Sequence, residues 1–162
     1  MKKVLLALVV AVSVISAKAQ TTMNVRAGFG YNTDEAEVTG VFQVNMPFKM
    51  GSKWTFSPSL QVDMALECDE ESGSQNILLP LYLGHKMQLG NGLFFPKIGP
   101  AVGYDIYTTS GFNYGPSVEL AFEYKHFVVA ANGYFSIKEV ERDEKYSCFP
   151  ISSTSLTVGY KF

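Results

Sequence analysis

The sequence predicts an all-β protein, an eight-stranded antiparallel up-and-down β-barrel that crosses a membrane. Beyond residue 20, a two-residue alternation recurs in eight segments separated by turn-like clusters. The chain is 47% hydrophobic and only 17% charged, whereas a typical soluble domain has about 25% charged residues. Closing such strands into a barrel removes the exposed edges that an open sheet would leave.

The start of the chain has the three parts of a secretory signal peptide. Lys2 and Lys3 form the basic part, residues 4–15 form an apolar run, and Ala17-Lys18-Ala19 supplies the small residues of a cleavage site. A membrane-spanning helix needs about 20 apolar residues, and this run is shorter. We therefore expect export and cleavage rather than a membrane anchor.

Cleavage would divide the chain into a signal peptide over 1–19 and one barrel domain over 20–162. The signal peptide carries three lysines and no acid, so the mature chain would have 10 basic and 15 acidic residues, a net charge of −5. This balance provides no basic patch for nucleic acid, and we expect no nucleic-acid partner.

Each of the eight segments alternates large apolar side chains with small or polar ones. They span 23–32, 37–48, 54–66, 76–86, 93–107, 112–124, 127–137 and 151–162. The third is the clearest, because Trp54, Phe56 and Leu60 oppose Thr55 and Ser57. The fourth, NILLPLYLGHK, is apolar on both faces, which leaves its register open. The segments contain Pro58, Pro80, Pro96, Pro100 and Pro116, and these indicate bulges or bends because proline is rare in central strands.

The two faces decide between two kinds of barrel. A soluble lipocalin-like carrier needs a charged outer face and an apolar cavity, whereas a membrane barrel turns its apolar face to lipid. Here the other face is mostly Gly, Ser, Thr, Ala and Asn, which fits a narrow eight-strand lumen. Aromatic residues, expected at both membrane interfaces, stand near the segment ends at Trp54, Phe56, Phe94, Phe112, Tyr124, Phe127, Tyr160 and Phe162. The pattern favours the membrane barrel, with a soluble exported carrier of an apolar ligand as the alternative.

The connections alternate in charge along the chain. Three of the four odd connections (33–37, 67–75, 108–111 and 138–150) are rich in Asp and Glu, and the short even turns (49–53, 85–92 and 125–126) contain lysines and no acid. We therefore place the longer acidic loops outside the cell and the even turns, with both chain ends, in the periplasm.

The polar strand faces hold the remaining charges. They are Arg26, Asp63, Lys97, Asp105, Glu119, Glu123 and Lys161. Because an eight-stranded lumen is just wide enough for side chains, we interpret this lumen charge network as a plug of ion pairs rather than a pore or proton path.

Taken together, the signal peptide, eight amphipathic strands, short inner turns, longer outer loops and closing LTVGYKF resemble the small outer-membrane β-barrel proteins of Gram-negative bacteria, the OmpA/OmpX-like family. The last strand, with Leu156, Val158, Tyr160 and Phe162 on one face, is similar to the C-terminal assembly signal that the barrel-assembly machinery reads through strand pairing. The resemblance implies an outer-membrane protein with a structural or surface-interaction role through its extracellular loops. It implies outer-membrane lipid and the assembly machinery as partners and no cofactor, and it leaves the extracellular partner unknown.

Two features of the outer loops bear on chemistry. Cys68 and Cys148 fall in the second and fourth outer loops, and an oxidising compartment favours a disulfide between them over two free thiols. An acidic cluster is formed by Glu67, Asp69, Glu70 and Glu71. It could bind Ca²⁺ through carboxylates, but it lacks the spacing of a calcium loop. We therefore expect a solvated loop and no metal site.

The histidines argue against catalysis. His85 and His126 both map to inner turns, without a Ser or Asp partner at an informative spacing. We therefore expect no enzyme and no catalytic residues, and an outer-membrane enzyme is the third hypothesis.

Overall fold

A computed structural model describes residues 22–33, 36–66, 75–106, 112–137 and 151–162. Within these ranges the chain forms the following strands: β1 Asn24–Asn32, β2 Glu37–Asn45, β3 Phe48–Met50, β4 Trp54–Ala65, β5 Gln75–His85, β6 Met87–Leu89, β7 Gly92–Asp105, β8 Phe112–Tyr124, β9 Phe127–Phe135 and β10 Ile151–Lys161. The short β3 and β6 continue β2 and β5, so the wall of the barrel has eight strands. No helix of the described residues is long and apolar enough to cross a membrane.

The sheet closes on itself. The eight strands of the wall pair antiparallel with the next wall strand along the chain, so that β2 pairs with β4 and β5 pairs with β7, and β10 returns to β1. The closing seam runs through nine residue pairs, from Asn24↔Lys161 to Asn32↔Ser153. At the end of the seam that lies with the inner turns, the Phe162 amide donates to the Met23 carbonyl oxygen at 2.8 Å. The predicted fold class, an eight-stranded antiparallel barrel, is confirmed.

The polar faces of the strands point into the barrel. On β8, Glu119 and Glu123 are buried. Leu120 and Phe122, which lie between them in the sequence, are 53% and 37% exposed on the outer wall. The same division holds on β4, where Thr55 is buried and Trp54 is half exposed. A soluble carrier would need the opposite arrangement, with apolar side chains around its cavity.

Two predicted inner turns were too long. The second segment, predicted over 37–48, is divided into β2 and β3, and the predicted turns at 49–53 and 85–92 contain paired strand residues. Chain reversal takes place at Gly51 and Gly90, whose φ angles of 78° and 58° suit glycine. The hairpins therefore extend beyond the hydrophobic pattern. The other predicted strand ends differ from the structure by at most two residues.

The structure determines the register of β5, which the sequence leaves open. Leu78 and Tyr82 point inward and are buried, and Leu79, Leu81 and Leu83 are exposed on the outer wall. Strand pairing is interrupted around Pro80. The pairs of β5 with β4 pass from Pro58↔Leu81 to Gln61↔Leu78, and those with β7 pass from Pro80↔Ala101 to Leu83↔Ile98. Proline lacks an N–H to donate, and these irregularities accommodate it.

Glycine permits a close approach of two strands on the inner face. A Cβ atom at Gly115 of β8 would overlap the carbonyl oxygen of Phe135 at the end of β9. The backbones of these strands can therefore lie this close only without a side chain at position 115.

Candidate functional site

The centre of the barrel contains a buried ion-pair cluster around Glu119. Arg26 of β1 donates from Nη2 to Glu119 Oε2 at 2.7 Å, and Lys97 of β7 donates from Nζ to Oε1 at 2.5 Å. Gln43 of β2 donates a further hydrogen bond to Oε2 at 3.3 Å. The side chains of Arg26 and Glu119 are 0% exposed and that of Lys97 is 3% exposed. One carboxylate therefore joins the opposite walls of the barrel through two cations.

A second ion pair lies toward the inner turns. Lys161 Nζ and Glu123 Oε2 are 2.6 Å apart, and their side chains are 23% and 7% exposed. Unlike the central cluster, this pair has one partner in partial contact with the surroundings.

The two aspartates of the predicted network differ from the glutamates. Asp63 is buried, and its two carboxylate oxygens accept hydrogen bonds from Gln61 Nε2 at 2.9 and 3.1 Å. Within the described residues no Lys or Arg forms an ion pair with Asp63. The backbone of Asp105 pairs with Asn76, and its side chain lies outside what the structure describes.

Neutral side chains fill the lumen above and below the charges. Tyr82 Oη lies 2.8 Å from Ser117 Oγ, and Asn45 donates to Ser59 at 2.6 Å. Two apolar clusters are also buried, one formed by Phe95, Ala121, Val128 and Ala130 and the other by Leu78, Ala101 and Tyr134. The sequence pattern missed Tyr82 and Leu78 because the fourth segment is apolar on both faces. Phe95 lies between Phe94 and Pro96, so the sequence does not alternate between apolar and polar residues there. The pattern therefore did not show that Phe95 points into the lumen.

Some buried polar atoms of the lumen have no partner within the described residues. They include Arg26 Nε and Nη1 and the side-chain oxygens of Asn24, Gln43, Asn45, Ser57, Asn76 and Asn132. Both donors and acceptors are represented. Groups of this kind in protein interiors are normally satisfied by ordered water, which needs two to four polar partners.

Both histidines are engaged in aromatic contacts at the inner-turn end of the barrel. The His85 ring meets Trp54 edge-on, with centroids 4.9 Å apart, and the His126 ring stacks on Tyr160 at 5.3 Å. His126 Nδ1 also lies 3.1 Å from the Lys161 carbonyl oxygen. In the described part of the chain, no group of three or more His, Cys, Asp or Glu residues could hold a metal ion.

The loop residues singled out from the sequence, Cys68, Cys148 and the acidic cluster at 67–71, lie outside the described residues. The same holds for the signal peptide at 1–19.

The outer wall is apolar along the last strand and beyond. Leu156, Val158, Tyr160 and Phe162 are 59%, 55%, 44% and 67% exposed on one face.

An apolar concavity of about 470 Å³ opens outward on another part of the wall, where Pro100 of β7 pairs directly with Pro116 of β8. Its lining includes Ile98, Val102, Tyr114 and Ile137.

No protein-family model matches the chain, and no curated protein matches it in sequence. Among solved structures, it is similar to the outer membrane enzyme PagL, with a TM-score of 0.59, 11% identity and coverage of 85% of this chain and 97% of that one. It is also similar to Neisserial surface protein A (NspA), with a TM-score of 0.60, 7% identity and coverage of 87% of this chain and 94% of that one. Identities this low establish the fold alone. The chain has the fold of the small outer-membrane β-barrels, as the sequence predicts, and an outer-membrane location is consistent with it.

Proposed function

We propose that this chain is an integral outer-membrane β-barrel protein that does not conduct solutes and acts as a structural or surface-interaction protein through its outer loops. The observation that carries the proposal is the division between a lumen occupied by side chains, centred on Glu119, and a wall of exposed apolar residues.

The wall supports the membrane location. Large apolar side chains such as Phe29, Ile98 and Leu120 are more than half exposed, and a continuous apolar surface of this kind would be a liability in water. Aromatic residues stand at the inner end, including Trp54 and Phe127, as they do at membrane interfaces. The outer wall is therefore suited to contact with the hydrocarbon core of a membrane.

The lumen supports the absence of conduction. A solute would have to displace Arg26 and Lys97 from Glu119, and separating a buried ion pair leaves uncompensated charges at low dielectric. Closer to the inner turns, a solute crossing the lumen would also have to pass the buried side chain of Phe95, a residue that is 2% exposed. An interior occupied by buried side chains leaves the loops as the part of the chain able to meet a partner.

The first experiment is cell fractionation combined with a heat-modifiability gel and planar-bilayer recording on the purified protein. We expect recovery with the outer membrane, extraction only by detergent, a mobility shift on boiling, and no stepwise conductance. Recovery in the soluble periplasmic fraction would favour the carrier hypothesis. Regular conductance steps would show that the lumen is a channel.

The role of the loops is tested separately. Replacing 67–74 and 138–150, which leaves Gln75 of β5 in place, with short Gly-Ser connections should leave the heat-modifiable barrel intact and remove binding of cells to host or abiotic surfaces. The matched control shortens the remaining acidic loop alone, within 33–36, which leaves Glu37 of β2 in place. Unchanged surface binding in the double-loop variant would contradict a loop-based role.

An outer-membrane enzyme is the second candidate, because PagL, an outer membrane enzyme, has a similar fold. The contacts of His85 with Trp54 and of His126 with Tyr160 place both imidazoles at the inner-turn end, away from the outer loops. Incubation of the purified barrel with outer-membrane lipids, followed by mass spectrometry, tests this candidate. Hydrolysis that disappears in H85A or H126A would establish it.

A further inference from the structure

Lysines surround the inner-turn end of the barrel. We call the three turns at 49–53, 85–92 and 125–126 the inner rim. Lys49, Lys53 and Lys125 are exposed there, and Lys86 is partly exposed. The Lys86 amide donates to the Lys53 carbonyl at 2.7 Å, so two of the turns are joined directly.

Lys86 lies in the electrostatic field of Lys49 and of two lysines of the lumen, Lys97 and Lys161. Partial burial lowers the pKa of Lys86, and although Glu123 raises it, the charges of Lys161, Lys49 and Lys97 lower it further. Glu123 is itself buried and paired with Lys161. No Asp or Glu occurs in the three turns, so the side chains of the inner rim itself carry positive charge and no negative charge.

The aromatic side chains beside the inner rim indicate its depth relative to the membrane. Aromatic side chains face outward beside it, and Tyr160 connects His126, Phe127 and Phe162 through ring contacts of 5.3, 6.2 and 5.2 Å. Lys125 Nζ lies 5.6 Å from the centre of the Tyr124 ring. Aromatic belts of membrane proteins mark the headgroup level, and lysine stems extend from there toward the phosphates.

We propose that the inner rim binds the phosphate groups of anionic phospholipids in the leaflet that surrounds it, and that this contact holds the barrel at its depth and orientation. The inference rests on the proposed membrane location. Positive charge at the headgroup level complements an anionic phosphodiester, whereas the acidic loops at 33–37, 67–75 and 138–150 would repel it at the opposite end. The two ends of the barrel therefore differ in lipid preference.

The test uses the purified full-length mature protein in phosphatidylcholine vesicles that contain a spin-labelled lipid. The measured quantity is the association of spin-labelled phosphatidylglycerol relative to spin-labelled phosphatidylcholine. We expect a ratio of about five, which corresponds to about 1 kcal/mol for one lysine at an anionic surface. In 1 M salt, where the Debye length is about 3 Å, the ratio should fall toward one.

The variant neutralises the rim with K49Q, K53Q, K86Q and K125Q together. The matched control neutralises four acids of the opposite end with E67Q, D69N, E70Q and E71Q. A ratio near one for the variant and an unchanged ratio for the control would support the proposal, provided both proteins keep their mobility shift on boiling.

Three results would overturn the proposal. One is a wild-type ratio of one, and another is a preference that survives in the four-lysine variant. The third is binding to isolated peptidoglycan that the variant loses while no lipid preference is seen, since this would assign the rim to the cell-wall polymer. Failure of the membrane location itself would look different, because neither labelled lipid would then associate with the protein.

Discussion

Neutralising Glu119 is the most direct perturbation of the filled lumen. In Glu119→Gln the side chain keeps its shape, but the anion that pairs with Arg26 and Lys97 at 2.7 and 2.5 Å is lost. Both cationic side chains would remain buried, at 0% and 3% exposure, without a counter-ion. Removing one partner of a buried pair costs about 3–5 kcal/mol, so the free energy of unfolding should fall by about that amount.

Glu123→Gln is the matched control for this change. Glu123 lies on the same strand and the same face, but its partner Lys161 has a side chain that is 23% exposed. The released lysine can therefore be solvated, and we expect a loss of about 1 kcal/mol or less. The two variants should thus differ by about 2 kcal/mol or more, roughly a 30-fold change in the folding equilibrium constant.

The assay is reversible unfolding in urea of barrels folded into lipid vesicles. The single tryptophan, Trp54, is the reporter. It is 50% exposed on the outer wall, so its emission should shift when the strand leaves the hydrocarbon. Equal losses of stability in the two variants, or a larger loss in Glu123→Gln, would refute the reasoning.

Three further outcomes follow from the outer wall, the strand packing and the last residue. Leu120→Arg, on a lipid-facing position, should lower the unfolding free energy by about 2–4 kcal/mol in the same titration, and an unchanged value would argue against lipid contact. Gly115→Ala should reduce the refolded fraction on a gel, because the new Cβ atom would overlap the Phe135 carbonyl oxygen. The control is Gly133→Ala, whose Cβ atom would lie at an ordinary contact distance of 3.4 Å from the Val118 side chain. Equal refolded fractions in the two variants would contradict the close approach of the strands at Gly115. Phe162→Ala should refold normally in vitro but accumulate less in the outer membrane, and equal accumulation would exclude an assembly role for this residue.

The faces of the strands could be predicted from the sequence because successive side chains of a strand point to opposite sides. Trp54 and Thr55 illustrate the rule, since one is half exposed and the other is buried. The strand charges could be assigned to the interior for a second reason, that a charge facing lipid is costly. Neither argument needs knowledge of which strands lie opposite each other.

The partners across the lumen could not be predicted. Arg26 and Glu119 are 93 positions apart in the sequence, and their meeting depends on how far each strand is shifted along its neighbour when the barrel closes. The alternation gives Asp63 and Glu119 the same face, yet one accepts only from Gln61 among the described residues and the other binds two cations. The ends of the inner hairpins were missed for a different reason, because Gly51 and Gly90 reverse the chain beyond the hydrophobic pattern.

The distribution of charge limits where binding can evolve on this barrel. The lumen is occupied by fixed pairs such as Arg26–Glu119, and the wall is adapted to hydrocarbon, so a substitution that creates a polar contact in either place costs stability. The two ends carry no such penalty, because their side chains meet water or headgroups. Acids are concentrated in the outer loops and lysines in the inner turns. With the proposed lipid contact confined to the lysine-bearing end, the acidic outer loops would be free to vary in sequence without loss of that contact.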